Sequence, residues 1–142
     1  MSAPRNTKGF SLIEVLLVLA IIGIISGIAI PSFLGQRRRA RVIGDAISNA
    51  KVLAMALETR KADNGIYGAT GSYNWTAAGT YPSASTNIAP SFQPKGNSKM
   101  NFNVAVGSTG LTYTLTVTDP ALGTGVVAYQ TDQTGTQLAK LE

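Results

Sequence analysis

Glu14 opens a stretch that otherwise carries no charge. Every residue from Val15 to Ile25 is apolar or Gly, Ser26 interrupts, and Gly27 to Ile30 lead on to Pro31. An ionised side chain at the centre of a bilayer costs about 2.5–3.5 kcal/mol on insertion scales, so an acid beside such a run needs a partner. The run itself contains no Lys, Arg or His. The partner must then be a chain terminus or a group on another molecule. Cutting the chain between Gly9 and Phe10 creates an amine four positions before Glu14. That amine can pair with Glu14 of the same chain or of a neighbour.

Other chemistry is sparse. The chain has no Cys and no His, and its seven Asp and Glu residues are scattered. There is no thiolate nucleophile and no disulfide. The usual general base and the usual zinc ligand are missing. No nucleophile–base pair or metal cluster can be assembled from what remains, so neither an enzyme nor a cofactor is expected. The net charge of +5 is unevenly placed: Arg5 and Lys8 precede the apolar run, and Arg37, Arg38, Arg39 and Arg41 follow it.

The elements around Glu14 come next. Counted from Phe10, the run is about 20 residues, the length of a membrane-crossing helix. A cleaved secretory signal would show a small-residue site after its apolar core, and none follows Pro31. Beyond Pro31 the pattern stays helical. Val42, Ile43, Ala46, Ile47, Ala50, Leu53, Ala54 and Leu57 recur at spacings of three and four, with polar residues between them. Asp63-Asn64-Gly65 offers a stop. A helix from Phe10 to Ala62 would be roughly 80 Å long, far more than a membrane needs. Its first half suits lipid or other copies of itself; its second half suits one face of a small sheet. Gly23 and Gly27 stand at i and i+4, a spacing that permits close helix contact. Ser26, Gly27 and Pro31 weaken one short segment, since Pro31 has no N–H to offer the carbonyl of Gly27.

The fold class expected is α+β, a long N-terminal helix on a small antiparallel sheet. Residues 63–99 are rich in Gly, Ser, Thr, Asn and Pro and read as a variable loop pinned by aromatics. Trp75 in it is either an exposed adhesive residue or a packing residue. Residues 100–142 read as three to four antiparallel strands. Met100 to Val106 alternates, Gly107 to Gly110 turns, and Leu111, Tyr113, Leu115 and Val117 alternate with threonines. Gly125 to Thr131 and Thr136 to Leu141 complete the set.

Lys8-Gly9-Phe10-Ser11-Leu12-Ile13-Glu14 resembles the class III leader junction of type IV pilins and type II secretion pseudopilins. The resemblance holds from Lys8 to about Pro31, fades through the following helix, and is only architectural thereafter. It implies a pilin-like lollipop. It implies that residues 1–9 are a leader, removed by a membrane-embedded aspartyl peptidase that also N-methylates Phe10. Phe10 and Glu14 would direct assembly, with Glu14 pairing to the terminal amine of an adjacent subunit. Residues 10–31 would be the membrane and polymerisation helix, and 32–62 its amphipathic continuation. Gly23, Gly27 and Pro31 would mark a kink, or a segment unwound in the assembled state. The family's disulfide-closed C-terminal loop is missing. So is the acidic calcium loop of major pseudopilins, for which Asp119 and Asp132 are too few carboxylates.

The arginines set a conflict. Arg5 and Lys8 favour a cytoplasmic N-terminus, whereas four arginines after the span pull the other way. The leader chemistry decides for the cytoplasmic N-terminus. Arg37, Arg38, Arg39 and Arg41 are then candidates for headgroup contact. Salt links to Asp45, Glu58 or Asp63 of a neighbouring subunit, and DNA along a filament, are the other candidates.

The leading expectation is a major pilin, most like the type IVa kind. It would polymerise into a type IV pilus for adhesion, twitching motility or DNA uptake. The alternative is a pseudopilin forming a periplasmic pseudopilus of a type II secretion system. The resemblance implies a homopolymer. It also implies a prepilin peptidase/N-methyltransferase, an assembly ATPase, an inner-membrane platform protein, an outer-membrane secretin, minor pilins, and membrane lipid before assembly. The place expected is the inner membrane before assembly and the cell surface after it.

Overall fold

The computed structural model describes residues 9–76, 83–96 and 99–141. Most of the proposed leader, residues 1–8, lies outside them. The elements in chain order are α1 (Leu12–Asn64), β1 (Gly71–Trp75), α2 (Ser83–Ile88), β2 (Asn101–Val106), β3 (Tyr113–Thr118), a short 3-10 turn (Pro120–Leu122), β4 (Val127–Asp132) and β5 (Gln137–Lys140). The strands form one antiparallel meander in the order β1-β2-β3-β4-β5. Two compact units divide the chain at Arg38/Arg39.

In the first unit α1 is long and apolar, and none of its described side chains is buried. A helix of this hydropathy without internal cover is long enough to cross a membrane. It stays helical through Gly23, Gly27 and Pro31 in the single chain.

In the second unit α1 buries one stripe: Val42, Ala46, Asn49, Ala50, Leu53 and Leu57. These spacings of three and four keep the stripe on one face of the helix. The helix ends at Asn64, where Gly65 takes a φ of 79° and donates its N–H to the Lys61 carbonyl at 2.8 Å. That is a left-handed C-terminal cap, and glycine adopts it without a Cβ clash. The stripe shares one core with the inward residues of the sheet, among them Trp75, Phe102, Val104, Leu115 and Val117.

The stretch expected to be a structureless loop is not one. It contributes β1, which pairs with β2 from Gly71↔Val106 to Trp75↔Phe102, and the short helix α2. Residues 100–142 supply four strands, and β1 makes the sheet five-stranded. Trp75 is fully buried and meets Phe92 edge-on at 5.7 Å, and Phe92 meets Phe102 at 5.3 Å. The packing role holds for Trp75, and the adhesive one does not. Ser85 of α2 is buried and accepts a hydrogen bond from the Asn74 N–H at 2.8 Å. A side chain thus occupies a β1 donor that would otherwise be an open sheet edge.

Two bulges shape the other end of the sheet. Val117 pairs with Tyr129 but Thr118 pairs with Val127, so Ala128 is the extra residue. This explains why neighbours Ala128 and Tyr129 are both buried in a strand that should alternate. Between β4 and β5, Leu138 is the extra residue, and it is half exposed.

Candidate assembly site

The proposed cleavage and assembly residues sit at the start of α1. Phe10 is 88% exposed. Ser11 precedes the helix, and its carbonyl accepts from the N–H groups of Glu14 at 3.1 Å and Val15 at 3.3 Å. The Glu14 carboxylate turns back and accepts the Ser11 backbone N–H at 2.9 Å. That is the reach-back half of a capping box, and it satisfies a donor that a helix start leaves open. A negative group here also meets the positive end of the helix dipole. Glu14 is therefore held beside residue 10, where cleavage after Gly9 would place an amine.

Ser11 was not singled out from the sequence. The pattern Ser-x-x-Glu before an apolar run was the available signal. Beside Glu14, an apolar groove of about 300 Å³ is lined by Phe10, Glu14, Val15, Val18 and Leu19.

The remaining predicted residues are strung along the same helix rather than gathered. Around Gly23 and Gly27 a Cβ would meet no atom within 4 Å, so both faces are open. Pro31 lies inside the helix. Arg37, Arg38, Arg39 and Arg41 are all exposed. The Arg37 guanidinium lies 5.7 Å above the Phe33 ring, a cation–π contact one turn back.

In the second unit the polar contacts hold the fold. Tyr67 donates its hydroxyl to Glu58 at 2.6 Å, and the Lys61 ammonium donates to the Tyr67 oxygen at 3.3 Å. Burial, with the Glu58 hydrogen bond and charge, pushes the Tyr67 hydroxyl pKa well above its ordinary value. Tyr113, edge-on to Tyr67, is pushed up to about 12, first by burial and then by the charges of Glu58 and Asp132. Asp132 is held below the usual carboxylate range, chiefly by the Thr134 hydroxyl. Asp119 accepts from the Ala121 N–H at 2.8 Å and starts the 3-10 turn. Both C-terminal acids thus serve turns. Among the described residues no group of three His, Cys, Asp or Glu gathers.

Parts of this chain are similar to known proteins. The family model of the prokaryotic N-terminal methylation motif matches residues 4–30. That motif implies processing by a prepilin peptidase/methyltransferase. The type II secretion system core protein G of Vibrio cholerae is 34% identical over 70 residues, 49% of this chain and 47% of that protein. The type IV wide pilus major component PilA4 of Thermus thermophilus is 56% identical over 36 residues, 25% of this chain and 28% of that protein. The type IV major pilin protein PilA of Myxococcus xanthus is 47% identical over 53 residues, 37% of this chain and 23% of that protein. The chain spans less than half the length of these relatives. No solved structure matches it. The N-terminal similarity and the fold, an apolar helix continued into one that packs on a small antiparallel sheet, together support the pilin and pseudopilin superfamily for this chain.

Proposed function

We propose that this chain is the structural subunit of a helical filament of the pseudopilus type, belonging to a type II secretion system. The observation that carries the filament reading is α1 itself. Its first half is apolar on every side and uncovered, with Glu14 at its start. Such a surface is stable only in lipid or against other copies. In this reading the peptidase cuts after Gly9 and methylates Phe10. The chain waits in the inner membrane as a single span, and Glu14 gives up its Ser11 contact to take the Phe10 amine of the next subunit. Residues Gly23 to Pro31 unwind as the filament forms.

The pseudopilus is favoured over the pilus by the breadth of similarity. Matches to core protein G proteins run over 66–70 residues, 46–49% of this chain, in several organisms. The pilus reading keeps one observation of its own, the higher identity to pilus subunits over shorter stretches. Intact-mass spectrometry of cell fractions tests both. A chain starting at N-methylated Phe10 in the envelope, absent from filaments sheared off the surface, supports the pseudopilus. The same species dominating the sheared filaments assigns the pilus instead. A chain starting at Met1 in every fraction sinks both.

A further inference from the structure

Four arginines fall within five consecutive helical residues, Arg37 to Arg41, just past the apolar segment. We propose that they form a collar that binds the phosphates of anionic lipid headgroups. The inference rests on the reading that the apolar segment lies in a bilayer before assembly.

Three observations carry it. The first is position. From Leu12 to Leu34 the helix rises about 35 Å, enough to cross a core of about 30 Å with modest tilt. The arginines begin within one turn of that end. The second is shape. With 3.6 residues per turn, Arg37 and Arg41 lie about 40° apart, while Arg38 and Arg39 lie about 100° and 200° from Arg37. The set covers more than half the circumference but only about 6 Å of the helix axis. A single protein partner meets one face of a helix and would be matched by a stripe. A headgroup layer surrounds the helix and is itself only about 5–7 Å deep on each side. The third is the Phe33–Arg37 contact. It places an aromatic ring at the end of the span with a guanidinium stacked on it, so the first arginine of the set is held at that end of the apolar segment.

The chemistry selects phosphate. Guanidinium presents a planar fork that binds phosphate oxygens through paired hydrogen bonds. It also resolves the charge conflict in the sequence. Four cations on the side away from Arg5 and Lys8 oppose the usual orientation bias. Anionic headgroups on that side offset the cost and set the depth of the helix.

The test is lipid retention by the full chain. The protein is reconstituted into vesicles of three parts phosphatidylcholine to one part phosphatidylglycerol, then released, and its retained lipids are counted by native mass spectrometry. In wild type the retained ratio of phosphatidylglycerol to phosphatidylcholine should be about fivefold above the one-to-three ratio of the vesicle, the preference that roughly one cation near an anionic surface supplies. The R37Q/R38Q/R39Q/R41Q variant should lose the preference. The matching four-lysine variant should keep most of it. Emission from Trp75, the sole tryptophan, reports that the second unit remains folded in each. No preference in wild type overturns the inference, as does an equal preference in the glutamine variant. So does a preference abolished by millimolar inorganic phosphate, which would mark a site for free anions. A glutamine variant that keeps its lipids but loses polymerisation also overturns it, and assigns the arginines to a second copy. A chain that does not float with vesicles at all removes the bilayer reading itself.

Discussion

The two halves of α1 share one backbone and opposite solutions to burial. Before Arg38 no described side chain is buried; after it, six are, in a stripe one side chain wide. Leu17 is 59% exposed, whereas Leu53 and Leu57 are fully buried. The first half is apolar all round, and its partners must come from outside the chain. The second half is apolar on one face, and the sheet of the same chain supplies the partner. Hydrophobicity alone therefore does not say where a helix is stable. The angular distribution of apolar residues does.

The largest effect that would sharpen this contrast belongs to Glu14. Glu14→Ala should reduce polymer to background while leaving the melting of the second unit unchanged. Cross-linking of the chain in cells and a Trp75-monitored melt in detergent measure the two separately. Next comes Leu57→Ala, which should destabilise the second unit by about 3 kcal/mol through lost burial and an unfilled cavity. Leu17→Ala should leave that same melt within about 0.5 kcal/mol, as exposed positions do. A comparable shift from both would break the contrast.

Asn49→Ala should cost about 2 kcal/mol. Asn49 is 6% exposed, donates to the Asp45 and Lys95 carbonyls and accepts from the Lys95 N–H, so its removal orphans a buried donor and acceptor. The smallest effect is that of pH. Tyr113 has its pKa raised from 10.0 to about 12 in the folded chain, so its contribution is fully present below pH 10 and is lost between pH 10 and 12. Tyr67 shifts in the same direction. At pH 11 the loss from Tyr113 should be about 1 kcal/mol, and Tyr113→Phe should flatten that part of the pH–stability curve.

What the sequence made legible follows the same division. The apolar run, the stripe from Val42 to Leu57 and the alternation in β2 and β3 are local repeats, so they could be read locally. β1 could not. Gly71–Trp75 has only two inward side chains, Tyr73 and Trp75, and the rest of its order comes from pairing with β2 some thirty residues on. Asn49 looked like a wet residue between apolar ones, because its partner is the backbone at Lys95. The burial of Ala128 depends on a bulge that shows only once register is known. At the assembly site, Glu14 stood out by its surroundings, whereas Ser11 acts through its backbone and left only a pattern of spacing.

The uncovered half of α1 has one more consequence. Each large apolar side chain kept from water gains about 1.5–3 kcal/mol, so a segment this long favours any apolar medium over water by tens of kcal/mol. A free aqueous pool of this chain is therefore negligible at any cellular concentration. On the filament reading proposed above, growth is then set by density in a surface, in molecules per area, and a subunit that leaves the polymer returns to that surface rather than diffusing away.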